Sequence, residues 1–197
     1  MLSRTTTTLL EGLADPRNEF AWRRFFARYT PMLLSYAKRV GLADADAQDA
    51  VSDTLITFVQ AYRDGRYDRE HGRLKSWLGG IARNKICKRL ARRDPVSLDA
   101  AATNGERTVL EPAAANDADE AFECEWQLER LNEALEILRR ESDPTTYQAF
   151  DLYALKDWPV GKVASFLGLT PNAVYICKTR TLKRLRQIVH QLIAEEE

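Results

Sequence analysis

The amino-acid sequence predicts an all-α fold: two small helical domains joined by a flexible linker, the second containing a helix-turn-helix. Three observations predict it. Helix-start signals recur at Asp15-Pro16, Asp143-Pro144 and Thr170-Pro171, each pairing a capping side chain with proline at the first helical position. Apolar residues return at steps of three and four, and strand-like alternation is nearly absent. Between Asp94 and Asp119 the periodicity stops, and Pro95, Asn104, Gly105, Pro112 and Asn116 interrupt a run rich in alanine. The expected domains are therefore residues 1–93 and 120–197, with an acidic, Ala-rich linker over 94–119.

In chain order, Asp15-Pro16 predicts the start of a helix. Ala47, Ala50, Val51, Thr54, Leu55, Phe58, Val59 and Tyr62 form one stripe over about four turns. Asp44, Asp46, Asp49 and Asp53 crowd the first half of that helix. Asp44 or Asp46 suits its positive N-terminal end. A second stripe, Leu74, Trp77, Leu78, Ile81, Ala82, Ile86 and Leu90, marks the next helix and places Trp77, like Tyr62, in a core. A third, Cys124, Leu128, Leu131, Leu135 and Leu138, predicts a helix packed inside the C-terminal domain or a dimer seam.

Residues 160–180 carry the helix-turn-helix pattern. Ala164 is small where two helices cross, Gly168 permits the positive φ of a sharp turn, and Val174 is spaced to pack back on the first helix. Thr170-Pro171 then opens the second helix, which fits a recognition helix. With Val174, Cys177, Thr181, Leu185 and Ile188 inward, the other face presents Asn172, Tyr175, Ile176, Thr179 and Arg180. Asn172, Tyr175, Thr179 and Arg180 are candidates for base or groove contacts. Lys178, Lys183 and Arg184 are candidates for phosphate contacts, which position a helix without reading sequence. Cys177 reads as a core residue and His190 as a surface one.

The charge is segregated, although 29 Lys+Arg balance 29 Asp+Glu overall. Residues 1–93 hold 18 basic and 10 acidic side chains, residues 94–143 hold 4 and 14, and residues 144–197 hold 7 and 5. A polyanion meets two basic regions around an acidic middle, so neutrality does not exclude nucleic acid. Six of residues 83–93 are basic and none is acidic: Arg83, Lys85, Lys88, Arg89, Arg92 and Arg93. A turn-rich loop with two glycines and two aromatics, 62–73, precedes that helix. A basic helix beside such a loop suits single-stranded nucleic acid, with cations on the backbone and rings or pockets for unstacked bases. Asp49 and Asp53, one turn apart on one face, repel unless a basic partner is present. They mark either a docking face or a solvated acidic face.

Other classes are disfavoured. No apolar run approaches the roughly 20 residues of a membrane span. The start, Met1-Leu2-Ser3-Arg4 and four threonines, lacks a secretory signal. Cys87, Cys124 and Cys177 are odd in number and widely spaced, against disulfide or zinc frameworks. The expectation is a cytoplasmic protein without cofactor, metal site or catalytic residues.

Two blocks resemble a known family, the extracytoplasmic-function (ECF) sigma factors of bacterial RNA polymerase. Ala47-Gln48-Asp49-Ala50-Val51-Ser52-Asp53-Thr54-Leu55, followed by Trp77-Leu78-Gly79-Gly80-Ile81-Ala82-Arg83-Asn84, resembles region two. Val163 to Arg180 resembles region four. The sequence departs from the usual pattern at Gln48, Ser52 and Leu55 and in placing Gly79-Gly80 inside a helix. The resemblance implies that Asp49 and Asp53 dock on the polymerase clamp. It assigns −10 strand capture to Asn84 and the 63–73 loop, which makes Arg66, Tyr67, Arg69, His71, Arg83, Asn84 and Lys88 the candidates for that strand. It assigns −35 duplex contacts to Tyr175, Thr179 and Arg180, with the polymerase flap as a second partner of region four. An anti-sigma factor is the remaining candidate partner. The alternative is a stand-alone helix-turn-helix regulator that binds duplex DNA without polymerase.

Overall fold

Eight α-helices and no strand occur among the described residues, which are 6–15, 17–67, 73–93 and 112–196 of the computed structural model. They are α1 Thr6–Leu13, α2 Glu19–Arg39, α3 Asp44–Arg63, α4 Leu74–Arg93, α5 Pro112–Glu141, α6 Pro144–Phe150, α7 Val160–Leu167 and α8 Pro171–Glu196. Helix α6 runs on into a π-helical turn, Asp151–Leu155. The chain divides into two units, Thr7–Glu129 and one built on Arg130–Glu197.

In the first unit α2 starts later than Asp15-Pro16 predicts. Asn18 is the N-cap, and its side chain accepts a hydrogen bond from the Ala21 N–H at 3.1 Å. Asp15 instead accepts from the Arg17 N–H at 2.9 Å, so it closes the preceding turn. Helix α3 has Ala43 at its N-cap position and no side-chain cap, so Asp44 and Asp46 act as first-turn charges at the positive helix end. Asp44 also pairs with Lys38 at 2.9 Å. The stripes of α3 and α4 face inward as predicted. Ala47, Ala50, Val51, Thr54 and Phe58 are buried from α3, and Leu74, Leu78, Ala82 and Ile86 from α4. Thr54 satisfies its buried hydroxyl by donating to the Ala50 carbonyl at 2.7 Å. Phe25 and Phe58 stack at 4.4 Å between centroids, and Phe58 meets Trp77 at 4.9 Å.

The start of α5 belongs to this core, which the sequence reading does not anticipate. Residues 94–111 of the expected linker lie outside the described residues, and from Pro112 the chain is helical. Ala118, Phe122 and Trp126, at successive steps of four, are buried, and Trp126 stacks on Tyr29 at 5.5 Å. Around them Arg83 pairs with Asp119, Lys75 with Glu123, Arg39 with Glu125 and Arg28 with Glu129. Glu125 is buried and its Arg39 partner lies at 2.6 Å, which satisfies the buried charge. The compact unit thus ends at Glu129, where the sequence reading starts the second domain at 120. The third stripe is split as well: Leu138 is buried, Leu135 packs beside it, but Leu128 and Leu131 are exposed. Acidic residues dominate the sequence here, and alanine with two aromatics is a sparse stripe, so the leucines at alternating steps of three and four outweigh it in a sequence reading.

Gly79 has a structural reason inside α4. A Cβ there would sit 2.7 Å from Cε1 of Phe122, so α4 and α5 approach too closely for a side chain. Gly80 faces open space.

The second unit is held by two clusters. Ala134, Leu138, Phe150, Ile188 and Leu192 form one, and Ala149, Leu152, Val163, Ala164 and Val174 the other. Both predicted caps are in place: Asp143 accepts from the Thr146 N–H at 2.9 Å and Thr170 Oγ1 from the Ala173 N–H at 3.2 Å. Gly168 ends α7 at φ 66°, a left-handed conformation that glycine adopts without penalty. Ala164 and Val174 meet in one cluster, so α7 and α8 pack closely across a three-residue connection.

Candidate protein- and nucleic-acid-binding faces

In the first unit Asp49 and Asp53 lie on successive turns of α3 with side chains 67% and 50% exposed. Their basic partner is Arg89 of α4. Its guanidinium donates to Asp49 at 3.1 Å and Asp53 at 3.0 Å, with Asp46 at 3.9 Å. One arginine thereby offsets the repulsion of the acidic pair, and one oxygen of each carboxylate is engaged. This takes Arg89 off the free basic side of α4, where its spacing alone places it. Ile56, one turn beyond Asp53, is 55% exposed and extends the same face with an apolar side chain. The sequence reading missed it; its signal is a large apolar residue off the buried stripe.

The polar side of α4 is narrower than the sequence predicts. Asn84, Lys88 and Arg92 are exposed at steps of four, so they form one outward row. Arg83 is instead fixed by two hydrogen bonds to Asp119, at 2.7 and 2.8 Å. Tyr67 is not a free loop ring. It is half-buried and stacks on Trp77 at 4.8 Å and Tyr62 at 5.8 Å, continuing the aromatic column. Tyr62 anchors that column by donating its hydroxyl to the Leu10 carbonyl at 2.7 Å, and burial raises its hydroxyl pKa. Trp77 and Tyr62 are core rings, as predicted. Arg66 is exposed and pairs with Asp64 at 3.4 Å. Arg69 and His71 lie outside the described residues.

In the second unit Val174 and Thr181 are buried, Cys177 and Leu185 pack on the clusters, and Ile188 is buried, matching the predicted inner face of α8. Asn172, Tyr175, Thr179 and Arg180 are all exposed. The Thr179 hydroxyl donates to the Tyr175 carbonyl at 3.0 Å, which leaves its oxygen as an acceptor. Tyr175 meets Tyr153 edge-on at 5.5 Å, and the neighbouring Tyr153 side chain raises its hydroxyl pKa. The Lys178 ammonium lies over the same Tyr153 ring, 4.9 Å from its centroid. Lys183 is exposed, whereas Arg184 is bound to Glu141 at 2.6 and 3.2 Å. Two residues absent from the sequence reading stand out on α7: Phe166 is exposed and meets Trp158 edge-on at 5.9 Å, and Lys162 sits 4.1 Å above the Trp158 ring. No group of three His, Cys, Asp or Glu side chains able to hold a metal occurs among the described residues, and no described helix is long and apolar enough to cross a membrane.

Residues 25–96, which take in most of α2 and all of α3 and α4, match the sigma-70 region 2 family. Among solved structures, CnrH in complex with the cytosolic domain of CnrY is 21% identical, with 93% of this chain and 96% of that chain covered at a TM-score of 0.37. The sigma factor RpoE in complex with the anti-sigma factor NepR from Bartonella quintana is 19% identical, with 86% and 96% covered at a TM-score of 0.31. No curated protein matches the chain. The region 2 span contains both the Asp49/Asp53/Ile56 face and the Asn84/Lys88/Arg92 row. Phe122 and Trp126 lie beyond it, so the core built by the matched residues is completed by a segment outside the match.

Proposed function

We propose that the chain is an ECF-type sigma factor that directs bacterial core RNA polymerase to specific promoters in the cytoplasm. The region 2 match over residues 25–96 carries this reading. Docking on the polymerase clamp falls to Asp49 and Asp53, with Ile56 as the apolar contact beside them. Capture of the melted −10 strand falls first to Asn84 and Lys88, which stand free on α4, and to Arg66. Arg69 and His71 belong to the same proposed loop. Arg83 and Tyr67 contribute only on leaving Asp119 and the ring column.

In the second unit, α7 and α8 act as a helix-turn-helix for duplex −35 DNA. Asn172, Tyr175, Thr179 and Arg180 face the groove, and Lys178 and Lys183 the phosphates. Arg184 is engaged by Glu141 and joins them only by exchanging that carboxylate for a phosphate. The exposed Phe166 beside Trp158 is the candidate for the flap contact. An anti-sigma protein as antagonist belongs to the same reading and rests on the resemblance of the sequence blocks. Promoter opening then follows from differential binding, because region 2 gains contacts with unpaired bases that the closed duplex does not offer. The chain supplies no chemistry of its own in this scheme.

Run-off transcription with purified core polymerase tests it. Promoter-specific transcripts that require this protein support the proposal; duplex binding without transcription replaces it with the stand-alone regulator. Asp53→Arg is expected to weaken core association and spare duplex binding, and Arg180→Ala the reverse. Equal loss of both activities in either variant overturns the division of labour.

A further inference from the structure

Tyr153 is unused by everything above, yet two proposed DNA contacts lean on it. It sits in the π-helical turn Asp151–Leu155, half-buried against the Val163/Val174 cluster. The wide turn carries its ring to α8, where Tyr175 abuts it edge-on at 5.5 Å with an interplanar angle of 82°. Lys178, one turn along α8 from Tyr175, rests its ammonium 4.9 Å from the same ring centroid. A single ring thus restrains a tyrosine and a lysine that are exposed or half-exposed and would otherwise sample several rotamers.

We propose that Tyr153 is a positioning residue for duplex binding, holding Tyr175 toward the groove and Lys178 toward a phosphate. The inference rests on the α8 duplex-reading role proposed above. Its physical basis is pre-organisation: the rotamer entropy of a long cation and an aromatic is lost on folding, not on binding. The two restraints are chemically separable. The ring face holds Lys178 by cation–π attraction. The Tyr153 hydroxyl additionally acts on Tyr175, whose pKa it raises.

The test uses the full chain with two duplex probes, one selected by the wild-type protein from a randomised pool and one of scrambled sequence. Tyr153→Leu removes both restraints. Its affinity for the selected duplex is expected to fall roughly tenfold, and the slope of log K against log salt to shrink by about one as the Lys178 phosphate contact is lost. Tyr153→Phe keeps the ring, so the slope stays at the wild-type value while the preference for the selected over the scrambled duplex declines. A purely structural role for Tyr153 would lower the melting temperature without separating these readouts. In a Lys178→Ala background Tyr153→Leu is expected to leave the slope unchanged.

Wild-type affinity, slope and preference in both Tyr153 variants overturn the inference, as does a slope change that persists without Lys178. If Tyr175→Ala and Lys178→Ala themselves bind like wild type, or the wild-type chain selects no duplex, it is the role of α8 that fails. Loss in those two variants with none at Tyr153 sinks the positioning role alone.

Discussion

Trp126→Ala probes the assignment of the first part of α5 to the first compact unit. Trp126 is 2% exposed, stacks on Tyr29 at 5.5 Å and lies 5.8 Å from the Phe122 ring. Truncating such a ring in a close-packed core costs about 3–5 kcal/mol. The ion pairs around it, such as Arg83–Asp119, are partly exposed and contribute only about 0.2–1 kcal/mol each, so they cannot hold the segment in place without the ring. Amide hydrogen exchange on the full chain is the assay, because it reads stability element by element. The most protected amides of α2, α3 and α4 are expected to exchange about two to three and a half decades faster, at about 1.4 kcal/mol per decade. Those of α6 to α8 are expected to keep their rates. Unchanged exchange in α2–α4 would refute the reasoning, since it would mean that residues 118–129 do not complete this core.

Two adjacent glycines are expected to respond with opposite signs in thermal melts. Gly80→Ala gains about 1 kcal/mol from helix propensity with nothing in its way. Gly79→Ala drives a methyl against the Phe122 ring at 2.7 Å and loses stability by about 1–3 kcal/mol despite the same propensity gain. Alkaline stability tests Tyr36, whose pKa is held well above the usual tyrosine value, first by burial and then by Cys87 and Asp119, against the opposing Arg83. Below pH 10 the hydroxyl is protonated in both states; above it only the unfolded state ionises, so stability falls with rising pH by up to about 1.4 kcal/mol per unit. Denaturant titrations from pH 9 to 11 are expected to show this slope, and Tyr36→Phe to make it shallower, with the raised pKa values of Cys87 and Tyr62 leaving the remainder.

Asp49 and Asp53 illustrate how far spacing carries. Their separation of four residues predicts a shared face and mutual repulsion, and hence the need for a cation. That the cation is Arg89 depends on how α3 and α4 pack, forty residues apart in sequence for Asp49. The basic run of α4 is legible as a run, but Arg89 and Arg83 turn to carboxylates on neighbouring helices. The outward row that remains is Asn84, Lys88 and Arg92. Tyr67 shows the same limit, because a ring in a turn-rich loop reads as available until Trp77 and Tyr62 stack against it.

By itself the sequence determined the helical class, the two inward stripes of α3 and α4, the caps at Asp143 and Thr170 and the turn at Gly168. Each of these follows from local spacing and from the conformational preference of one or two residues. Only tertiary structure decided that Phe122 and Trp126 join the first core, that Gly79 is a close approach, and which cations of each basic face are already paired. These are consequences of contacts between distant segments. A one-dimensional pattern specifies which face of a helix is apolar, but not which neighbour comes to cover it.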